Sequence, residues 1–201
     1  MAFGDLTNVT TGEVRLSYEH LMKPYARKPG DPEKYSVTIL IPKSDQATMS
    51  RIWAAIEAAT QRGASGPWNG VVPPKVSNPI HDGDGVRPSD GMPYGDECKG
   101  CWVFTASCSA DRKPEVVDKI GNPIIDHSQI YSGIYGRVNV DFFPYNSDGR
   151  KGIGASLGPV QKLRDGDSLG GTPVTAAQAF GAPPQQPAAW PNVDPITGMP
   201  L

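Results

Sequence analysis

Aromatic and cationic side chains alternate with apolar ones in the stretch YSGIYGRVNVDFFPYN, residues 131–146. Successive side chains of a strand point to opposite faces, so the even positions from Ile134 to Phe142 would form one apolar face. Rings, a guanidinium and an amide share the other face, with the residues Tyr131, Tyr135, Arg137, Asn139, Asp141, Phe143 and Tyr145. Because rings stack on nucleobases and a guanidinium contacts phosphate, this odd-numbered face predicts a surface that binds a nucleic-acid strand. Asp141 would repel phosphate and does not fit that interpretation.

Further cations are expected at strand ends or in loops beside strands, namely Lys43, Arg112, Lys113, Arg150 and Lys151. Residues 101–164 hold eight Lys and Arg against six Asp and Glu, which is a slight local excess of positive charge. A closed barrel could gather these side chains along one groove, and the alternative is an ordinary solvated surface.

The cysteines could form a metal site. Cys98 and Cys101 make a Cys-x-x-Cys pair, and Cys108 and His127 could complete a tetrahedral zinc site. The spacing is loose, and a thiol on a strand more often packs as a small apolar group. We therefore predict no metal and no cofactor, although the sequence leaves open whether the three cysteines bind zinc.

No sequence pattern predicts catalysis. HDGDG, residues 81–85, lacks the ligand spacing of an EF-hand loop and is predicted to be a turn. The chain has no phosphate-binding glycine loop and no recognisable Ser/His/Asp or Cys/His set. We expect a binding protein and not an enzyme.

The composition bounds the class of protein. The 201 residues include 19 Lys and Arg and 21 Asp and Glu, so the net charge of −2 gives no argument for a nucleic-acid partner. The 23 Gly and 21 Pro favour strands joined by turns over a helical bundle. No apolar run approaches the roughly 18 residues of a membrane span, and the start does not read as a secretory signal. Three cysteines without an export signal favour a reduced, intracellular setting.

Hydrophobic periodicity predicts five strands and one helix that would position these side chains. The strands are expected at residues 13–18, 34–43, 101–110, 131–146 and about 153–166. Val14, Leu16 and Tyr18 would share one face of the first strand. The helix is expected at residues 44–63, begun by Ser44 or Asp45 and ended by Gly63. Its predicted apolar stripe, with Trp53 in the core, consists of Met49, Ile52, Trp53, Ile56 and Ala59.

These elements predict a mainly β fold, an OB-like five-stranded barrel with one helix, long loops and a disordered C-terminal tail. The barrel domain would cover residues 1–167. The tail would cover residues 168–201, which hold seven Pro and one acid, Asp194. The helix follows the second predicted strand, whereas an OB barrel usually places it between the third and fourth strands.

The order of several segments resembles a family of phage-encoded single-stranded DNA-binding proteins with an OB-type fold, formerly catalogued as a domain of unknown function. The resemblance covers about residues 7–171 and is carried by VRLSY, KYSVTILIPKSD, RKPEVVDKIGNPI, IYSGIYGRVNVDFFPYN and GRKGIGASLGPVQKLRDGDSLGG. It implies largely sequence-independent binding of single-stranded DNA in phage replication or recombination, in the cytoplasm of the bacterial host, without catalysis. Such proteins often end in an acidic tail. This tail has one acid, but Trp190, Ile196, Met199 and Leu201 could contact replication or recombination proteins.

Residues and resemblance together predict a DNA-binding groove. Base stacking is expected from Tyr131, Tyr135, Phe143 and Tyr145, and phosphate contacts from Lys43, Arg112, Lys113, Arg137, Arg150 and Lys151. The alternative is a phage structural or interaction protein whose aromatic barrel face binds a protein partner. DNA and RNA are not distinguished, because a stacking platform accepts any base.

Overall fold

The computed structural model describes residues 6–147 and 149–170, which belong to one unit that ends at Gly170. Most of the predicted tail, from residue 171 onward, lies outside the described residues. The strands are β1 Asn8–Thr10, β2 Val14–Tyr25, β3 Lys34–Pro42, β4 His81–Asp82, β5 Cys101–Ser109, β6 Val116–Val117, β7 Tyr135–Ser147 and β8 Arg150–Arg164. The long helix α1 is Gln46–Ser65, and short 3₁₀ helices occur at Asp96–Cys98 and His127–Gln129.

Five of these strands close into a ring in the order β2, β3, β5, β8, β7 and back to β2. β3 is antiparallel to both β2 and β5, and β7 and β8 form a long antiparallel hairpin. β5 and β8 meet in parallel through the single pair Ser107↔Ser156, which leaves the barrel partly open there. This arrangement confirms the predicted OB-like barrel. β1 extends the edge of β7, β6 extends β8, and β4 pairs with β5.

The barrel interior is filled by the apolar positions of alternating strands. Val37, Ile39 and Ile41 of β3 are fully buried, and Phe104 of β5 meets Phe142 of β7 with ring centroids 6.0 Å apart. Burying each large side chain of this kind contributes about 1.5–3 kcal/mol. The even positions of β7 from Gly136 to Phe142 are buried and the odd ones face outward, as the sequence predicted.

The helix α1 lies between the second and third strands of the ring, so the OB topology is elaborated at this point. Asp45 caps its first turn by accepting a hydrogen bond from the backbone N–H of Thr48, and the helix ends before Gly66. The prediction that Trp53 lies in the core is wrong. Trp53 is 39% exposed and meets Trp102 edge-on, because the buried stripe runs one position away, through Ile52, Ala55 and Ala59.

Tyr18 does not share the buried face of Val14 and Leu16, as predicted from alternation. It is 66% exposed with a backbone φ of 44°. Between the pairs Ser17↔Thr38 and His20↔Ser36, β2 has two residues where β3 has one. This β-bulge shifts the alternation by one residue and turns the tyrosine outward.

Candidate nucleic-acid interface

Two of the predicted stacking rings, Tyr131 and Tyr135, are already engaged by the protein. The Tyr135 ring lies between two guanidinium groups, with Arg164 3.6 Å and Arg15 5.7 Å from its centroid. Tyr131 precedes β7, and its hydroxyl donates to the Asp165 carboxylate at 3.0 Å. Two cations therefore already lie against the Tyr135 ring, and the position of Tyr131 is fixed by the chain that follows β8.

The middle of the odd-numbered side of β7 is occupied by the N-terminal strand. Arg137 donates to the Thr11 carbonyl at 3.2 Å, and the Asn139 amide bonds with Asn8 and Thr10 of β1. Asp141 accepts a hydrogen bond of 2.6 Å from the Thr7 hydroxyl. The carboxylate of Asp141 thus has a partner in the segment that precedes β1. This contact explains why an acid occurs on the odd-numbered side of β7.

Phe143 and Tyr145 lie over glycines of the neighbouring strand β8. A Cβ on Gly154 would stand 2.6 Å from the Phe143 ring, and a Cβ on Gly152 would stand 2.6 Å from the Tyr145 hydroxyl oxygen. The rings therefore lie flat on a backbone that has no side chain. Phe143 stays 38% exposed, while Tyr145 is half-buried and its carbonyl accepts from the indole N–H of Trp68.

The six predicted phosphate-binding cations are not gathered in one groove. Arg112 is exposed and donates to the Ser156 hydroxyl at 2.9 Å, and Lys113 follows it in the chain. Arg150 is exposed at the start of β8, whereas the Lys151 ammonium donates to the Trp68 carbonyl at 3.3 Å. Arg137 lies on β7 beside the N-terminal segment and pairs with Gln161 of β8, eleven residues along that strand from Arg150.

Lys43 is neutralised by carboxylates. Its ammonium lies 2.6 Å from both Asp82 and Asp84 and 5.2 Å from the centroid of Trp102. These hydrogen bonds raise the pKa of Lys43 above its ordinary value. Lys43 follows the end of β3 that pairs with Cys101, whereas Arg112 follows the other end of β5, about 26 Å away along the strand. The predicted turn at HDGDG is thus a short strand and turn that holds a lysine.

A cleft of about 410 Å³ opens beside Phe143, where β5 and β8 part. It is lined by Lys34, Ser107, Cys108, Ser109, Arg112, Asp141, Phe143 and Ser156. Two of the predicted residues, Arg112 and Phe143, therefore meet here, together with Lys34, which the sequence analysis did not single out.

The floor of this region consists of short side chains on three adjacent strands. Cross-strand register aligns Thr38 with Thr105 and Ser36 with Ser107, and Ser107 pairs in turn with Ser156. We call this surface the small-residue face, which comprises Ser36, Thr38, Thr105, Ser107, Gly154 and Ser156. In the sequence, this face is indicated by the polar residues that alternate with apolar ones in KYSVTILIP and CWVFTASCS.

Aromatic rings also flank the small-residue face on the β2 side. The His20 and Tyr25 rings stack with centroids 4.6 Å apart and an interplanar angle of 12°. His20 pairs with Ser36 and Tyr25 with Lys34, so the stacked rings stand beside the floor. Burial lowers the pKa of His20, which favours the neutral ring. Lys23, near the end of β2, and Arg27 and Lys28 of the β2–β3 loop lie next to them in the chain, and no ion pair is found for these three cations among the described residues.

The other end of the face is closed by the segment that contains the first two cysteines. Cys98 packs with Leu40 and Val103, whose side chains would otherwise point outward from β3 and β5. Burial raises the pKa of the Cys98 thiol to about 11. Cys101 and Cys108 are seven residues apart on β5, about 23 Å along the strand, so they cannot share one metal ion. No cluster of three or more potential metal ligands occurs within residues 6–147 and 149–170.

The described part of the chain contains no helix that is both long and apolar enough to cross a membrane.

Sequence comparisons place the chain among phage proteins. A family model described as the single-stranded DNA-binding protein of Enterobacter phage Enc34 matches residues 7–189. Protein p50 of Acyrthosiphon pisum secondary endosymbiont phage 1 is 28% identical over 176 residues, which cover 86% of this chain and 91% of p50.

Solved structures show the same relationship. The single-stranded DNA-binding protein from bacteriophage Enc34, in complex with single-stranded DNA, matches with a TM-score of 0.67 and 27% identity, over 82% of this chain and 90% of that chain. Gp2.5, the single-stranded DNA-binding protein encoded by bacteriophage T7, matches with a TM-score of 0.56 over 85% of this chain and 92% of that chain. Its 20% identity supports a shared fold alone. Because the family model spans most of its length, this chain belongs to the family of the Enterobacter phage Enc34 single-stranded DNA-binding protein.

Proposed function

We propose that this protein binds single-stranded DNA, largely without sequence preference, across the small-residue face. Membership of a family named for that binding supports the function, and a relative of 27% identity has been solved with single-stranded DNA bound. The observation that carries the location is the cleft where Phe143, Arg112 and Lys34 meet, with Ser107, Ser109 and Ser156 in its lining.

The floor suits a strand whose bases are unpaired. Short side chains let the sugar–phosphate backbone approach the sheet closely, while Phe143 on one flank and the His20–Tyr25 stack on the other offer ring faces. Stacking of a base on such a ring is worth about 1–3 kcal/mol and is open to every base. A duplex keeps its bases stacked inside, so it cannot use these rings.

Electrostatic attraction comes from cations at one end of the face. Arg112 and Lys34 line the cleft, and further cations follow at Lys23 on β2 and at Arg27 and Lys28 in the β2–β3 loop, which also holds Asp31 and Glu33. The acidic carboxylates that neutralise Lys43 lie at the opposite end. Phosphates would therefore be held at the Arg112 end and repelled at the Asp82 end.

The predicted residues divide by the contacts they already make. We assign Phe143, Arg112 and Lys113 to DNA binding, Tyr145 and Arg150 to its margin, and Arg137 to holding the N-terminal strand, because its guanidinium donates to the Thr11 carbonyl. Tyr131, Tyr135, Lys43 and Lys151 are assigned to holding the barrel and its loops, because their rings or ammonium groups are already bound by protein.

We place this activity in phage DNA replication or recombination in the cytoplasm of the bacterial host, and we propose that it involves no catalytic step. The family of single-stranded DNA-binding proteins supports this assignment. Replication or recombination proteins remain proposed partners of the C-terminal segment.

A fluorescence anisotropy titration tests the proposal. A labelled dT oligonucleotide is titrated at two salt concentrations, and binding should be saturable at low salt and weaken steeply as salt releases the counterions. A duplex of the same length serves as the competitor. The absence of saturable binding at low salt, or equal affinity for duplex and single strand, would contradict the proposed function and would favour a protein partner for this face.

A further inference from the structure

A second cavity, of about 420 Å³, adjoins the small-residue face at its positively charged end. Met22 of β2 forms one wall, and the segment from Lys113 to His127 forms the rest. Its lining is mainly aliphatic, with Val117, Pro123 and Ile125 among the wall residues. The volume falls within the range of about 300–1,000 Å³ that is usual for small-molecule sites.

The loop that builds this cavity is held in place by hydrogen bonds. The Asp118 carboxylate accepts bonds of 2.9 Å from the backbone N–H groups of Ile120 and Asn122. Gln161 of β8 donates to the carbonyls of Asp118 and Lys119 at 3.3 Å. A bridge between Val117 and Pro123 closes the loop, so the cavity exists before any ligand arrives.

The cavity lies beside the proposed DNA-binding face, because residues close together in the chain line both of them. Arg112 lines the cleft and the next residue, Lys113, lines the cavity, so their Cα atoms are about 3.8 Å apart. On β2, His20 stands beside the small-residue face and Met22, two residues on, lines the cavity. A strand that leaves the cleft past Arg112 therefore passes the mouth of the cavity.

We propose that this cavity receives one nucleobase of the bound DNA strand, turned away from its neighbours in the stack. The inference rests on the proposed function. Aliphatic walls would cover the two faces of the base, the Met22 thioether would contact the ring, and the Lys113 ammonium would meet the adjoining phosphate. Glu115, the acid of the lining, is an exposed residue, and its backbone carbonyl accepts from the N–H of Val160 at 2.8 Å, which fixes the main chain at this wall. Apart from Lys113, Glu115 and His127, the lining offers no polar side chain to read base edges, so discrimination between bases should be weak.

An abasic scan of the DNA tests this base site. The oligonucleotide is a dT strand no longer than one binding site, so that it binds in one register, and each position in turn carries an abasic sugar. The wild-type protein is compared with Ile125→Ser, which alters a side chain that is 85% exposed and should not affect folding. The matched control is Ile120→Ser, in the same loop and 75% exposed but outside the cavity.

At one position the abasic sugar should cost the wild-type protein about fivefold or more in affinity. That cost should shrink in Ile125→Ser and remain in Ile120→Ser, while the other positions respond alike in all three proteins. If Ile125→Ser changes the cost of the abasic sugar at no position, the base site is overturned, even though salt-dependent binding of dT persists. Failure of the wild-type protein to bind dT would instead overturn the proposed function itself. A change in the mass of the free protein in Ile125→Ser would identify the cavity as an interface between copies and would also overturn the base site.

Discussion

Removing the ring of Phe143 should weaken DNA binding measurably while leaving the protein folded. In Phe143→Ala the cleft loses its exposed ring, which now lies flat over Gly154 beside Arg112. One base would lose its stacking partner, at a cost of about 1–3 kcal/mol, which corresponds to a Kd about 5- to 150-fold higher.

The cost to stability can be worked from exposure. Full burial of a Phe side chain is worth about 1.5–3 kcal/mol, and Phe143 is 38% exposed in the free protein. The expected loss is therefore about 1–2 kcal/mol, without an added cavity term, because the ring lies at the surface. Since no charge is removed, the dependence of log Kd on log salt concentration should keep its slope.

Anisotropy titration with labelled dT gives the affinity and urea unfolding gives the stability. Trp53→Ala is a matched control, because Trp53 is another aromatic residue with nearly the same exposure, 39%, and it lies on the helix outside the cleft. Wild-type affinity in Phe143→Ala, or an equal loss of affinity in Trp53→Ala, would refute the assignment of Phe143 to base stacking.

Three further changes separate binding from structural roles. Arg112→Ala should reduce the magnitude of the slope of log Kd against log salt concentration by about 0.7, the value for one phosphate contact on a single strand. The control Arg87→Ala, in the loop before the cysteines, should leave this slope unchanged. Equal slopes in the wild type, Arg112→Ala and Arg87→Ala would contradict a phosphate contact by Arg112. Tyr135→Ala removes two cation–π contacts of about 0.5–1 kcal/mol each, so urea unfolding should show a loss of about 1–2 kcal/mol with little change in dT affinity; a large drop in affinity at unchanged stability would show that Tyr135 stacks on DNA. Because burial lowers the pKa of His20, the unfolded chain takes up a proton more readily, and the free energy of unfolding should fall as the pH drops below about 6.5. His20→Gln should show a smaller fall between pH 7.5 and 5.5, and an identical fall would assign the effect to other groups.

The position of the helix illustrates how far local patterns reach. The sequence predicted a helix at residues 44–63 with Asp45 as a possible cap, and the structure has it at Gln46–Ser65 with Asp45 as the cap. Capping and periodicity depend on residues within a few positions of each other, so they can be read directly. The side of the helix that packs on the barrel is set by tertiary contacts, and in this protein that side contains Ala55 and not Trp53.

The candidate site was predicted only in part, for a related reason. The alternation of β7 correctly separated its buried from its outward side chains. It could not show which outward rings are already in contact with other protein side chains and which are open to a ligand. Tyr135 is covered by Arg15 and Arg164, which reach it only because β2 and β8 both pair with β7. Phe143 remains open because the residue beside it on β8 is a glycine.

The sequence by itself determined the five strands of the barrel, the helix with its cap, the side of β7 that faces the core and the resemblance to a family. These features follow from backbone geometry and side-chain type over a few neighbouring residues. Tertiary structure alone decided which cations are free and where the floor of the groove lies. Lys43 is neutralised by carboxylates about 40 positions along the chain, and the small-residue face joins three strands that are far apart in sequence. Such partnerships depend on how the barrel closes, and closure is set by the pairing of whole strands and not by any local motif.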